Sequence, residues 1–330
     1  MRLLLICLAL SPLVAAADYS NHPKTPELLQ TLRDEFRFSK ADLQMVREAL
    51  AEAQLVPKLI ESEKNAKEKT LTWADYRPIH VNARNIERGA AFYRAQREWL
   101  NKAQQQYGVP AAVIVAIMGV ETKYGGYTGP HRVLDSLATQ GFDHPTCHPF
   151  FFRELTEFFV FCRDFGKTPS EPVGSYAGAM GMAQFMPSNY RRLAVDYDND
   201  GDIDLWSIPD AIGSIGNYLI HYRPSASWQS GEPVTVPATL RKPLPGGSVT
   251  LNGRRPDSQV AKLQRLGVEP ALSLAGEMAA GLLELDGENG LEHWLALPNF
   301  YSIMAYNPRV FYAMSVAQLA QGIELAANGP

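Results

Sequence analysis

The sequence predicts a mainly α protein of the α+β type carrying a small α/β insert. Three observations predict it. Apolar residues recur at helical spacing from Thr25 onward and again from Pro308 to Ala327. One helix after Pro110 is apolar on every side, as a core helix is. Between about Gly231 and Leu297 the composition shifts to Val, Thr and Leu among Pro and Gly clusters such as Pro245-Gly246-Gly247, which favours short strands and turns.

Taken in order, Met1-Arg2 is a short basic start, Leu3 to Val14 an apolar run, and Ala15-Ala16-Ala17 a small-residue cleavage site. That is the pattern of a secretory signal peptide over residues 1–17, and the run is shorter than the ~20 residues a membrane span needs. Cys7 lies inside the run rather than at its end, so no lipid anchor is expected; export to a periplasmic, soluble state is. From Thr25 to Ala66 the spacing of Leu28, Leu29, Leu32 and Phe36, then Leu43, Val46 and Leu50, predicts two helices, with Ser39 as N-cap of the second. Trp73 to Asn82 reads as an aromatic-bearing loop and Ile86 to Tyr107 as one long helix stopped by Gly108. Pro110 suits the first position of the apolar helix, which ends in Glu121-Thr122-Lys123-Tyr124-Gly125-Gly126. His148 to Phe165 predicts an aromatic-rich helix, Val173 to Ser188 a Gly/Met-rich loop, and Pro209 to Tyr222 a further helix. Gly276 to Asp286 fits a strand pair or a helix. The expected domains are a helical N-terminal region over 18–108, a core over 109–230, the insert over 231–297 and a C-terminal core helix over 298–330.

Composition narrows the function. At 330 residues, 46% hydrophobic and 20% charged, the chain can bury an ordinary core. A net charge of −4 with no basic block argues against a nucleic-acid partner. Cys147 and Cys162 remain after cleavage, an even pair that in an exported chain leaves one disulfide open beside two separate small hydrophobes. His131, His144, Cys147 and His148 match no standard zinc spacing.

Glu121 is the candidate catalytic group. A carboxyl at the end of a buried helix loses solvation, and the negative end of the helix dipole faces it; both favour the protonated acid that a glycosidase uses to protonate a leaving oxygen. The competing reading is a core glutamate paired with Lys123 or Arg132. The loop Ser175 to Pro187 supplies glycines that permit close backbone approach, Gln184 as donor and acceptor, and methionines as adaptable apolar surface. A sugar cleft would use such groups, and so would a tight structural turn. Asp196-Tyr-Asp198-Asn-Asp200-Gly201-Asp202-Ile-Asp204 begins like an EF-hand loop, with oxygen ligands at alternate positions and glycine sixth. Ser207 stands where the twelfth-position glutamate belongs.

Four segments resemble, in order, the membrane-bound lytic transglycosylase B family: Glu121-Thr-Lys-Tyr-Gly125, Gly178-Ala-Met-Gly-Met-Ala-Gln-Phe-Met-Pro187, Asp210-Ala-Ile-Gly-Ser-Ile-Gly-Asn-Tyr218 and Asn299-Phe-Tyr-Ser-Ile-Met-Ala-Tyr-Asn307. The resemblance implies a lysozyme-like helical core with an additional helical domain, and non-hydrolytic cleavage of peptidoglycan between N-acetylmuramic acid and N-acetylglucosamine. It implies Glu121 as acid/base, Ser175 and Gln184 as sugar contacts, and Tyr76, Tyr218, Tyr306, Asn307 and Tyr312 as groove-lining residues. Asn307 also reads as an N-cap for a helix starting at Pro308. The family's longer calcium loop implies Ca²⁺ held by Asp196, Asp198, Asp200, the Asp202 carbonyl and Asp210, with no organic cofactor. No convincing second carboxylate stands out; Asp135, Asp143, Glu154 and Glu157 are candidates by sequence proximity alone. The family mechanism needs none, because the substrate's own 6-hydroxyl closes onto C1 and leaves a 1,6-anhydromuramyl end. Peptidoglycan glycan strands are the implied partner, with proteins of cell-wall synthesis or division as candidates. A hydrolytic goose-type muramidase and a non-catalytic peptidoglycan-binding scaffold are the rival readings.

Overall fold

A computed structural model describes residues 18–59, 71–144 and 148–329. The expected signal peptide, the end of the first helical stretch and Cys147 lie outside the described residues. Helices dominate, with one five-stranded sheet and a two-stranded ribbon among the described residues, as the mainly α reading expects. The chain folds as two compact units, one from the residues up to Lys64 with Pro130–Gly178, the other from Asn65–Gly129 with Ala179–Pro330.

In the first unit, Thr25–Asp34 (α1) and Lys40–Glu52 (α2) are the two helices the spacing predicts. Ser39 does cap α2: its hydroxyl accepts from the Asp42 N–H at 3.2 Å while the Asp42 carboxylate accepts from the Ser39 N–H at 2.8 Å. The strand His131–Arg132 (β1) leads into the helix Val133–Ala138 (α7), which widens directly into a π-helical turn over Thr139–Asp143. The helix His148–Asp164 (α8) packs on α1, on α7 and on that turn. The strand Val173–Gly174 (β2) then pairs antiparallel with β1. Leu28, Leu32, Val46, Leu50, Leu137, Phe158 and Phe159 are buried side chains of this unit. Arg132 forks onto Asp135 at 2.7 and 2.8 Å, and Asp135 also accepts the Gln54 N–H at 2.9 Å, so this carboxylate is spent on holding the fold. Cys162 is buried in α8, and burial pushes its thiol pKa up.

The second unit corrects several expectations. Trp73–His80 (α3) is a helix, not a loop, because Thr72 and Asp75 close a capping box at its start. The long helix after it is two, Ala83–Ala95 (α4) and Arg97–Tyr107 (α5), separated at Gln96 with φ −107° and ψ 21°. The break lets α4 pack on Ala111–Thr122 (α6) and on the C-terminal helix while α5 packs on Ile208–His221 (α10). Pro110 is the N-cap of α6 rather than its first helical residue. The short helix Pro187–Leu193 (α9) precedes α10.

Residues Ala111 to Met118 of α6 are all buried, as their unbroken apolar run predicts. Burying a Val, Ile or Met side chain stabilises by about 1.5–3 kcal/mol each, which makes α6 the spine of this unit. The insert is a sheet of order β4-β6-β7-β3-β5, with Thr235–Leu240 (β3), Ser258–Gln259 (β4), Val268–Pro270 (β5), Ala279–Gly287 (β6) and Gly290–Ala296 (β7). All of its strand pairings are antiparallel. The short helix Val260–Arg265 (α11) buries Val260 and Leu263 against Val236, Val268, Leu282 and Leu295. The Gly276–Asp286 stretch therefore resolves to strand. Two helices, Pro298–Tyr306 (α12) and Val310–Asn328 (α13), close the unit where one was expected.

Candidate active site

The site in the second unit forms where α6 meets α13 and the Met180–Phe185 turn. Glu121 sits one residue before the end of α6 and is half-buried. Its Oε1 accepts a 2.6 Å hydrogen bond from the Tyr312 hydroxyl, in the first turn of α13. Tyr312 is buried, and burial, with the Glu121 charge beside it, holds its phenol well above the ordinary tyrosine pKa. The same two causes, in the same order, act on Tyr306. Burial thus favours both phenols as neutral donors. Of the two competing partners expected, Lys123 and Arg132, the arginine is committed to Asp135.

The helix does not run on to the paired glycines. It ends at Thr122, and Lys123 and Tyr124 both adopt left-handed backbone, with φ 54° and 63°. Such residues cost roughly 1–2 kcal/mol each relative to glycine, and strain of this kind gathers at functional sites. It is stabilised locally. The Lys123 and Tyr124 N–H groups close back on the Gly119 and Met118 carbonyls at 3.1 Å each. The Tyr124 hydroxyl donates to the Asn85 carbonyl at 2.6 Å, and its ring lies against the backbone of Gly119.

Thr122 ties this helix end to the Gln184 segment. Its hydroxyl lies 3.2 Å from the Met182 carbonyl and accepts the Gly125 N–H at 3.0 Å. Met180 and Phe185 exchange backbone hydrogen bonds of 2.8 and 3.1 Å, closing a tight turn between them. Gly181 has φ 67°, and a Cβ there would lie 2.5 Å from the Leu205 Cβ and 2.6 Å from its carbonyl oxygen, so only glycine fits. Gln184, itself at φ 50°, donates through Nε2 to the Gly181 and Thr128 carbonyls at 2.9 and 3.1 Å. That arrangement commits the amide nitrogen to the main chain and leaves the amide oxygen as an acceptor.

An aromatic cluster backs the turn. Tyr306 donates to the Ala183 carbonyl, Tyr218 donates to the Ala305 carbonyl at 2.7 Å, and the two rings meet at 4.5 Å. Phe185 contacts both. Tyr76 is buried and packs on Phe311, the residue before Tyr312. Asn307 is half-buried at the C-terminal end of α12, and the residue that caps α13 is Arg309. The expected Asn307 cap is therefore wrong: Asn307 is the C-cap of α12, and α13 begins three residues later, at Val310. Ser175 belongs to the first unit, where its carbonyl accepts the Gly178 N–H at 2.9 Å and lies 3.4 Å from the Ser136 hydroxyl.

The acidic loop brings carboxylate oxygens of Asp196, Asp198 and Asp210 within 4.8 Å of one another. Gly201 takes φ 95° at the sixth position. Asp196 accepts the N–H groups of Asp200 and Gly201, while Asp210 accepts those of Tyr197 and Asp204 at 2.7 and 2.8 Å. Asp198 Oδ1 is buried with no hydrogen-bond partner. A buried, unpartnered carboxylate oxygen facing two others is what a hard cation would satisfy. Asp200 stands outside the three-carboxylate group, its carboxyl accepting the Asp202 N–H at 2.9 Å. Asp202 turns its own carboxyl to the Ile203 N–H.

Sequence reasoning missed Thr122 and Thr128. Thr122 was findable as the polar residue on an otherwise apolar helix; Thr128 acts through its carbonyl, which no side-chain pattern announces.

Comparison with known proteins bears directly on this geometry. Residues 24–321 match the transglycosylase SLT domain. Over 319 residues the chain is 36% identical to membrane-bound lytic murein transglycosylase B of Escherichia coli (strain K12), covering 94% of this chain and 85% of that protein. The catenated lytic transglycosylase SltB1 from Pseudomonas aeruginosa superposes with a TM-score of 0.87 at 36% identity, over 94% of this chain and all of that one. The Escherichia coli lytic transglycosylase Slt35 in complex with calcium gives 0.82 at 36% identity, over 94% and 95% of the two chains. No helix among the described residues is long and apolar enough to cross a membrane. The chain belongs to the transglycosylase SLT domain family, and with it to the lytic transglycosylases.

Proposed function

We propose that Glu121 is the acid/base of a lytic cleavage between N-acetylmuramic acid and N-acetylglucosamine in peptidoglycan strands, carried out in the periplasm after export. The observation that carries this is the Tyr312 hydroxyl at 2.6 Å from Glu121 Oε1 at the end of a buried helix. The acid form of Glu121 protonates the glycosidic oxygen as the C1–O bond breaks. The carboxylate so formed, held by Tyr312, takes the proton of the muramyl 6-hydroxyl as its oxygen closes onto C1. The carboxyl is restored, no water is consumed, and a 1,6-anhydro end results. An intramolecular nucleophile has a high effective concentration, so one carboxyl can serve both proton transfers, where the usual pair of glycosidase carboxyls would place a water or a covalent intermediate.

Gln184 supports this reading as a sugar contact, with its amide oxygen as the acceptor its own hydrogen bonds leave. Tyr306, Tyr218, Tyr76 and Asn307 serve as groove lining around it, and Ser175 as a further sugar contact. Asp196, Asp198, Asp200, the Asp202 carbonyl and Asp210 hold Ca²⁺ in a structural role. The Met182 N–H donates to the Leu205 carbonyl at 2.7 Å, which joins the far end of that loop to the Gln184 turn. Slt35 in complex with calcium is the relative that supports the ion's identity.

The test is the mass of the products released from purified sacculi. Muramyl ends lighter by one water are expected; reducing ends alone would replace this mechanism with a hydrolytic one. Glu121→Gln, isosteric and without the titrating proton, should lose about 10²- to 10⁴-fold in rate. Digestion at the wild-type rate would leave the chain a peptidoglycan binder with its chemistry elsewhere.

A further inference from the structure

A recess in the same unit is lined by none of Glu121, Tyr306 or Tyr312. Its volume is about 550 Å³, within the ~300–1,000 Å³ range of small-ligand sites. Its walls are α3, the start of α4, the β6–β7 turn and the outer turns of α13. Trp73 is fully buried at its base, and the half-buried Trp294 forms a wall. Around these indoles stand Arg77, Glu288, Gln318 and Gln321.

The polar groups are already oriented. Arg77 Nε donates to Gln318 Oε1 at 2.6 Å, and the Trp294 indole N–H donates to Glu292 Oε2 at 3.2 Å. The Trp73 indole N–H is buried and donates to no described group. A preordered site spends less of its binding energy on ordering side chains.

The chemistry of the lining selects the ligand. A lipid chain would be matched by a wholly apolar slot, and the amides and carboxylates here would lose their solvation to it. A phosphate would face Glu288 and Glu292 against one arginine already engaged by Gln318. A pyranose suits both halves of the lining. Its C–H face stacks on the half-buried Trp294 indole, and its hydroxyl and acetamido groups exchange hydrogen bonds with planar amides and carboxylates. We propose that this recess is an accessory glycan site that grips an N-acetylhexosamine unit of the strand outside the bond being cleaved. It would keep the enzyme on an insoluble polymer between cuts. The inference rests on the glycan-strand reading of the family, but its residues are separate from the acid and its tyrosines.

The test uses the full chain in the Glu121→Gln background, titrated calorimetrically with N-acetylchitotetraose. Two binding events are expected, and Trp294→Ala and Gln321→Ala should each weaken one of them by about tenfold, the loss of one good contact. Gln321 is an exposed helix position, so its variant keeps the fold. With Glu121 intact, both variants should digest sacculi several-fold more slowly while cleaving a short soluble glycan fragment at the wild-type rate. A single binding event, or two events unchanged in both variants, overturns the proposal. So does a free stem peptide that displaces the tetrasaccharide from the site Trp294→Ala weakens. Wild-type cleavage of the short fragment is measured in the same series, so failure of the catalytic reading shows up separately.

Discussion

The Tyr312 hydroxyl donates to Glu121 Oε1 across 2.6 Å and across 191 residues of sequence. A carboxyl that must be an acid in one step and a base in the next needs a neighbour that does not itself ionise. Burial keeps the Tyr312 phenol in that state. Tyr312→Phe preserves the ring and removes the donor. A hydrogen bond to a charged group contributes about 1.5–3 kcal/mol, so kcat should fall by about 10- to 100-fold, with KM little changed, in a soluble-fragment assay.

Thr122 links the end of α6 to the Met180–Phe185 turn through one hydroxyl. Thr122→Val keeps the volume and strands the Gly125 N–H, whose acceptor is that hydroxyl. Leaving a buried polar group unpaired costs about 1–3 kcal/mol. Thermal melting should drop by about 2–4 °C per kcal/mol for a region of this size, and activity should fall beyond what the lost stability accounts for.

Gly181→Ala forces a Cβ to within 2.6 Å of the Leu205 carbonyl oxygen in a left-handed conformation. The conformational part alone costs about 1–2 kcal/mol, and the clash is with backbone, which cannot swing aside. A lower midpoint in denaturant unfolding is expected, with substrate affinity reduced because the Gln184 amide shifts with the turn.

For the acidic loop, millimolar Ca²⁺ should raise the melting temperature and a chelator should lower it. An ion at 100 times its dissociation constant stabilises by about 2.7 kcal/mol. Asp198→Asn should abolish most of the shift, because it alters a buried carboxylate oxygen that no described donor satisfies.

Alkaline pH gives a separate reading of the core. Burial raises the phenols of Tyr218, Tyr306 and Tyr312 above the ordinary value of 10.0. A group whose folded pKa is raised contributes stability that is whole below the unfolded value and is lost as pH climbs toward the folded one. Stability should therefore decline as pH rises past 10. Phenolate absorbance from these three should appear together with loss of the near-ultraviolet circular dichroism signal, not before it.

Much of this was legible in the sequence where one residue type carries one physical demand. The run from Ala111 to Met118 has no polar break, so it could only be interior, and it is. Ser39 before a helical pattern could be read as a cap from side-chain chemistry alone. Trp73–His80 was illegible because the aromatics and Pro78 masked a start signal that lay one residue earlier, at Thr72. The break at Gln96 was illegible for another reason: no glycine or proline marks it, and it answers to the different partners of α4 and α5. The Tyr312–Glu121 bond belongs to the same kind. Helical spacing places each residue on its own element, but only packing of α6 against α13 makes them neighbours.

The placement of Tyr312 on α13 also sets a time at which the hydrogen-bonded pair can form. Through most of synthesis, Glu121 has been made and its phenolic donor has not. A chain cut or stalled before Val310 carries the acid and most of the turn but lacks the helix that completes the pair. On the proposed role of Glu121, the last helix works as an arming step, and trimming it would disarm the protein.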